Sequence, residues 1–109
     1  MTLLPSLRQK KRYILFKIEA PMQFSFEEVK AEMEKALLQF LGEFGVAKAA
    51  PMFVKEKYTQ NQFILKVKHT CVDETKAALI LIKKIKNTPV ILRSIITSGT
   101  LKKVTGYIK

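Results

Sequence analysis

One histidine, one cysteine and nine acidic residues are all that this chain of 109 residues contains of those types, and each shortage removes a class of chemistry. With Cys71 alone, neither an internal disulfide framework nor a cysteine-based zinc site can form, which fits a reducing compartment. One His and one Cys cannot fill a tetrahedral zinc shell either. His69 has only Asp73 and Glu74 as acids near it in sequence, and a general base needs both an orienting partner and a nucleophile in reach. His69 reads more simply as a capping or packing residue at a strand-to-helix turn, and Cys71 as a small buried hydrophobe. Neither a P-loop nor a glycine-rich dinucleotide fingerprint is present. No apolar run reaches the length of a membrane-spanning helix, so no membrane contact is expected. The start, Met1 to Pro5, lacks the long apolar stretch of a signal peptide. Four glycines and four prolines against 48% apolar residues describe a folded chain and not a disordered basic tail. The length suits one domain, residues 1–109, with a single core. A soluble, intracellular, non-catalytic protein is the expectation.

Acid is scarce in a patterned way. Residues 1–18 carry five Lys or Arg and no acid. Residues 19–43 hold six glutamates against two lysines, and residues 44–109 hold thirteen Lys or Arg against Glu56, Asp73 and Glu74. The net charge is +11. Segregated positive charge of this size points to a polyanionic partner, nucleic acid before others.

The hydrophobic pattern sets the architecture. Residues 1–11, with mixed polarity and Pro5, read as a flexible basic arm. Arg12 to Ile18 then alternates, Ile14, Phe16 and Ile18 against Tyr13, Leu15 and Lys17, which predicts a strand with apolar residues on both faces. Ser25 and Glu28 form a capping box ahead of a helix. Its apolar stripe is Phe26, Val29, Met33, Ala36, Leu37, Phe40 and Leu41, and Gly42 or Gly45 ends it. The glutamates fall on the opposite, solvated face. Strands are predicted over residues 47–57 and 62–68, joined by a turn at 58–61; register decides whether Lys55, Lys57, Lys66 and Lys68 share a face. Thr70 can cap a second helix with Val72, Thr75, Leu79, Ile82 and Ile85 as its stripe and Lys83, Lys84 and Lys86 in its last turn. Asn87–Pro89 breaks it, and a strand runs from Val90 to Ile96. Ser98–Thr100 is a turn or cap before a basic tail that could form one more helical turn. The order βαββαβ is that of a ferredoxin-like α+β sandwich, an antiparallel four-stranded sheet with two helices on one face.

Such domains often bind single-stranded RNA on the open sheet face through a glycine-aromatic motif in the third strand. Here that strand is residues 63–68, with one aromatic, Phe63, and no glycine. The open face is therefore not expected to be a base-stacking platform, but to be covered by another element or a partner. Contacts to RNA would be phosphate-directed, from the arm, the loops and the tail. Arg93 interrupts an apolar strand, so its head must reach water or a partner, at a sheet edge facing RNA or by snorkelling past the second helix.

Four stretches carry a more specific likeness. They are residues 7–13 (LRQKKRY) entering the first strand; residues 41–45 (LGEFG) with 47–49 (AKA); residues 72–74 (VDE) with 77–79 (AAL); and residues 98–103 (SGTLKK). In this order and spacing the chain resembles the ribonuclease P protein component 2 family of small basic subunits. The resemblance implies a ribonucleoprotein in which ribonuclease P RNA, using magnesium ions, removes the 5′ leader of precursor tRNA. It implies a second, barrel-shaped protein subunit (component 3) as partner and a homodimer at the centre of a heterotetramer. It also implies RNA contacts from Arg8, Lys10, Lys11 and Arg12 in the arm and from Ser98, Thr100, Lys102 and Lys103 in the turn and tail, where a hydroxyl-and-amide turn before lysines can cradle phosphate. The reading of each as a helix cap or solvated charge stands beside this. The compact length favours an archaeal cytoplasm over a nucleolus. Two other functions stay open: a ferredoxin-like dimerising or regulatory module without an RNA substrate, and, against the acid and His inventory, a small nuclease. On any RNA-binding reading, the acidic first helix is the face turned away from RNA.

Overall fold

The computed structural model describes residues 10–108. Its main sheet has four strands, β1 (Lys11–Glu19), β2 (Met52–Phe53), β3 (Gln62–Lys68) and β6 (Ile91–Ser98), in the order β2-β3-β1-β6. All three pairings are antiparallel. Two helices, α1 (Phe26–Ala49) and α2 (Val72–Ile80), cover one face, and β4 (Lys84–Ile85) and β5 (Thr88–Pro89) form a separate small hairpin. This is the ferredoxin-like arrangement expected from the pattern. The two crossovers are interleaved, so β1 and β3 lie in the middle, and their alternate residues are buried on both sides.

On the helical side, Ile14, Phe16 and Ile18 meet Phe63, Leu65 and Val67, then Val29, Met33 and Leu37 of α1 and Leu79 of α2. Phe16 and Phe63 stack with centroids 5.2 Å apart. The capping box forms as predicted: the Glu28 amide donates to Ser25 Oγ at 3.2 Å and the Ser25 amide to Glu28 Oε1 at 3.0 Å. The loop before α1 is held by Asn61, which accepts from the Phe24 amide and donates to the Met22 carbonyl, both at 2.8 Å. Asn61 itself sits at φ +61° in the tight turn of residues 59–62 that leads into β3, a conformation Asn tolerates better than most residues.

Several predicted boundaries move. The helix does not end at Gly42. It breaks there, at φ +73° and ψ 175°, and resumes to Ala49, so residues 47–49 are helical and not part of a strand. Ala50 closes it at φ +47° with its amide on the Val46 carbonyl at 2.8 Å, and Pro51 prevents continuation. The predicted 47–57 strand shrinks to Met52–Phe53, and Lys55–Lys57 form a 3-10 turn. Phe40, assigned to the core stripe, is instead 52% exposed. Thr70 makes no cap; His69–Cys71 is a 3-10 turn leading into α2. Lys83, Lys84 and Lys86 lie beyond α2, whose stripe stops at Leu79, and Lys86 and Asn87 make the left-handed turn of the hairpin. Ile82 and Ile85 still pack into the core from there. Lys11, placed in the arm, is already in β1 opposite Lys68.

Candidate nucleic-acid interface

The face of the sheet away from α1 and α2 is closed by the chain itself. The C-terminal tail forms α3 (Leu101–Thr105), with Val104 fully buried against Leu15 and Ile64. Leu101, Ile108, Tyr13, Val54 and Ile96 border this second core. A ring-stacking surface over the central strands is thus excluded by apolar packing. Around α3 the same face carries cations, because residues directly opposite in neighbouring strands point to the same side. Lys11 faces Lys68, Tyr13 faces Lys66, and Lys17 faces both Gln62 and Arg93. Lys66 Nζ lies 5.8 Å from the Tyr13 ring centroid, a cation–π contact. Lys102 and Lys103 on α3 are exposed. Two basic rims thus flank α3, about 20 Å apart by the rise of β1 from Lys11 to Lys17.

The nine residues named from sequence divide along this geometry. Arg8 lies outside the described residues. Lys10 is exposed, with its carbonyl accepting from the His69 amide at 2.9 Å. Arg12 leans over the β6–α3 turn: its Nη1 would lie 3.5 Å from a Cβ at Gly99 and donates to the Lys11 carbonyl at 3.1 Å. Lys11, Arg12, Ser98 and Thr100 therefore converge at one end of the sheet. Thr100 is the N-cap of α3 but makes no side-chain cap; its amide donates to Ser98 Oγ at 3.3 Å. Arg93 stands apart, at the other rim. β6 is an edge strand, and the register puts Arg93 on the α3 side and not past α2. Its Nε donates to Glu19 Oε1 at 3.1 Å, with both side chains largely exposed. An exposed pair of this kind contributes little and yields readily to a stronger anion. Lys17, Lys66, Lys68 and Tyr107 were not singled out as contacts. The lysine alternation in β1 and β3 was visible, but only register shows that these lysines share a face.

The glutamates of the first helix sit across the molecule. Glu27, Glu32 and Glu34 line α1, on the other side of the sheet. Glu28 contacts Lys86 at 3.2 Å. The Ser25 amide, then Lys86 and the Ser25 hydroxyl, hold its carboxyl below the usual range. Burial first, and then the nearby Glu28 charge, push the Tyr58 phenol up. Among the described residues, no group of three His, Cys, Asp or Glu could hold a metal ion, and no helix is long and apolar enough to cross a membrane.

Comparison with known proteins fixes the lineage. The family model described as the Rpp14/Pop5 family matches residues 12–109. The chain belongs to the Rpp14/Pop5 family. Two similar relatives are named ribonuclease P protein component 2. That of Pyrococcus furiosus is 37% identical over 94% of this chain and 86% of its own length. That of Methanocaldococcus jannaschii is 40% identical over 94% and 75%. The likeness read from the four sequence stretches is therefore borne out. Among solved structures, a chain of yeast ribonuclease MRP superposes with a TM-score of 0.68 at 13% identity, over 86% of this chain and 77% of that one. At that identity the match supports the fold alone. Rpp14/Pop5 membership and the ferredoxin-like core are consistent with each other, and α3 closes the sheet face that many such domains leave open.

Proposed function

We propose that this Rpp14/Pop5 chain is a non-catalytic, RNA-binding subunit of ribonuclease P that supports the catalytic RNA in removing the 5′ leader of precursor tRNA. One observation carries the reading: the sheet face bearing α3 presents Lys11, Lys17, Lys66, Lys68, Arg93, Lys102 and Lys103, while the glutamates of α1 lie on the far side. Phosphate groups approaching the basic rims release counterions, and close packing of RNA segments costs less as their charge is offset. The protein thereby favours the active RNA fold at lower magnesium, with the metal ions held by the RNA. Lys10, Lys11, Arg12, Ser98, Thr100, Lys102 and Lys103 are assigned to phosphate at one rim and α3, and Arg93 to the other; Arg8 is assigned to phosphate from its sequence neighbours alone. On α1, Leu38, Phe40 and Phe44 are exposed, Phe44 to 94%, which suits protein contact more than RNA contact. We assign that side to the barrel-shaped component 3 and to the homodimer of the heterotetramer.

Reconstitution tests the reading. The chain and its protein partner are added to a ribonuclease P RNA, and precursor tRNA cleavage is followed as magnesium is lowered. Cleavage should persist to lower magnesium with the chain present. An unchanged magnesium requirement would leave the dimerising-module alternative in its place.

A further inference from the structure

The far rim carries more than charge. Beyond α3 the chain turns back onto the sheet, fixed by backbone hydrogen bonds: the Tyr107 amide donates to the Val104 carbonyl at 3.0 Å and the Ile108 amide to the Thr105 carbonyl at 3.1 Å. Ile108 anchors in the second core, while Tyr107 remains 48% exposed. Tyr107 borders a cavity of about 150 Å³ together with Lys17, Gln62 and Ile95. Gln62 is nearly buried, at 5% exposure, whereas Ile95, the extra residue where β6 bulges against β1, is 43% exposed. Arg93 stands directly opposite Lys17, with Glu19 on its guanidinium. A large ring with an open side, an exposed aliphatic neighbour and two cations within one strand pairing make the combination used to hold an unstacked nucleotide. The ring takes the base, and the cations take the flanking phosphates. β3 lacks the aromatic stacking platform of such domains. The structure supplies one aromatic from the C-terminus instead, displaced from the sheet centre to its edge.

We propose that Tyr107, with Lys17 and Arg93, forms a binding site for one unpaired nucleotide of RNA. This rests on the RNA-binding reading and adds to it a preference for a single-stranded position at this rim. The ring's fixed backbone lowers the ordering cost, and the tolerance of stacking for any base means the site selects unpaired structure and not sequence.

The test uses the full chain and two labelled RNAs at low salt, a uridine-rich single strand and a fully paired hairpin closed by a short loop of non-nucleotide linker. Tyr107→Leu keeps apolar bulk and removes the ring; Tyr107→Phe keeps the ring. Tyr107→Leu should weaken single-strand binding roughly five- to a hundred-fold, as expected for one lost stacking partner, leave hairpin binding within about two-fold, and be rescued by Tyr107→Phe. Lys17→Gln with Arg93→Gln should weaken binding to both RNAs and lower the salt dependence. Equal single-strand affinity for Tyr107→Leu and the unaltered chain would overturn the proposal while leaving RNA binding intact. Equal losses on both RNAs for Tyr107→Leu would overturn it as well. An unaltered chain that bound neither RNA would overturn the RNA-binding reading together with this site.

Discussion

Replacing Asn61 by alanine should destabilise the domain strongly. The side chain is buried at 6% exposure and joins two loops distant in sequence, accepting from the Phe24 amide and donating to the Met22 carbonyl at 2.8 Å each. Phe24 is itself buried, so its amide would lose its partner without regaining water, which costs about 1–3 kcal/mol. Met22 is half exposed, so its carbonyl can be hydrated again and adds little. Alanine must also hold φ +61°, where a Cβ costs about 1–2 kcal/mol without the local hydrogen bonding Asn provides. Together the loss is about 2–5 kcal/mol, a large part of the stability of a small domain. Asn61→Gly separates the two contributions: it loses the same hydrogen bonds but accepts the left-handed backbone, so it should be the milder change by about 1 kcal/mol. Urea unfolding of the three proteins measures this, with a common slope showing that the same transition is compared. Alanine within about 0.5 kcal/mol of the unaltered chain, or glycine more damaging than alanine, would rule out this role for Asn61.

Val104→Asp should undock α3 from Leu15 and Ile64 by burying a carboxylate in the second core, lowering stability by about 2 kcal/mol or more and raising binding of a hydrophobic dye. Near-native melting would contradict the packing described. Glu28 has its ionisation favoured in the folded state, so its stabilisation is present above the ordinary carboxylate range and lost as pH falls through the lowered folded value. Glu28→Gln should therefore flatten the acid limb of a stability–pH profile. Tyr58 behaves in the opposite sense: its raised phenol contributes stability that is full below about pH 10 and lost as pH rises through the folded value, and Tyr58→Phe should remove that alkaline loss.

Much of the fold was legible because local and global signals agree where the core is made. The alternation in β1, the capping box at Ser25 and Glu28 and the apolar run of β6 each specify an element without tertiary help. The boundaries failed where a local signal was ambiguous. Gly42 reads as a helix stop, yet the chain beyond it, with Val46 and Ala49 turned to the core, gains more from resuming the helix than from starting a strand. The three lysines at 83–86 suit a helix C-terminus, but the left-handed pair Lys86–Asn87 forms a hairpin turn that a short sequence window does not announce. The candidate interface was legible in charge and not in place. Arg12 and Ser98–Thr100 were named separately and come together only through the β1–β6 register. Lys17, Lys66 and Lys68 became a rim only once β1 and β3 were paired. Tyr107 lay in a tail with no periodicity to mark it, and its position depends on α3 docking across the sheet.

On the proposed function, RNA meets the sheet face bearing α3 and avoids the face of α1. The salt dependence of binding tests it most directly, with a structured RNA and three proteins: the unaltered chain, a variant with Lys11→Gln, Lys17→Gln, Lys66→Gln and Lys68→Gln, and a variant with Glu27→Gln, Glu32→Gln and Glu34→Gln. Removing four phosphate contacts should reduce the slope of log affinity against log salt by about 3, and the α1 variant should keep the slope of the unaltered chain. A slope that stays unchanged in the lysine variant, or steepens in the glutamate variant, would contradict the account.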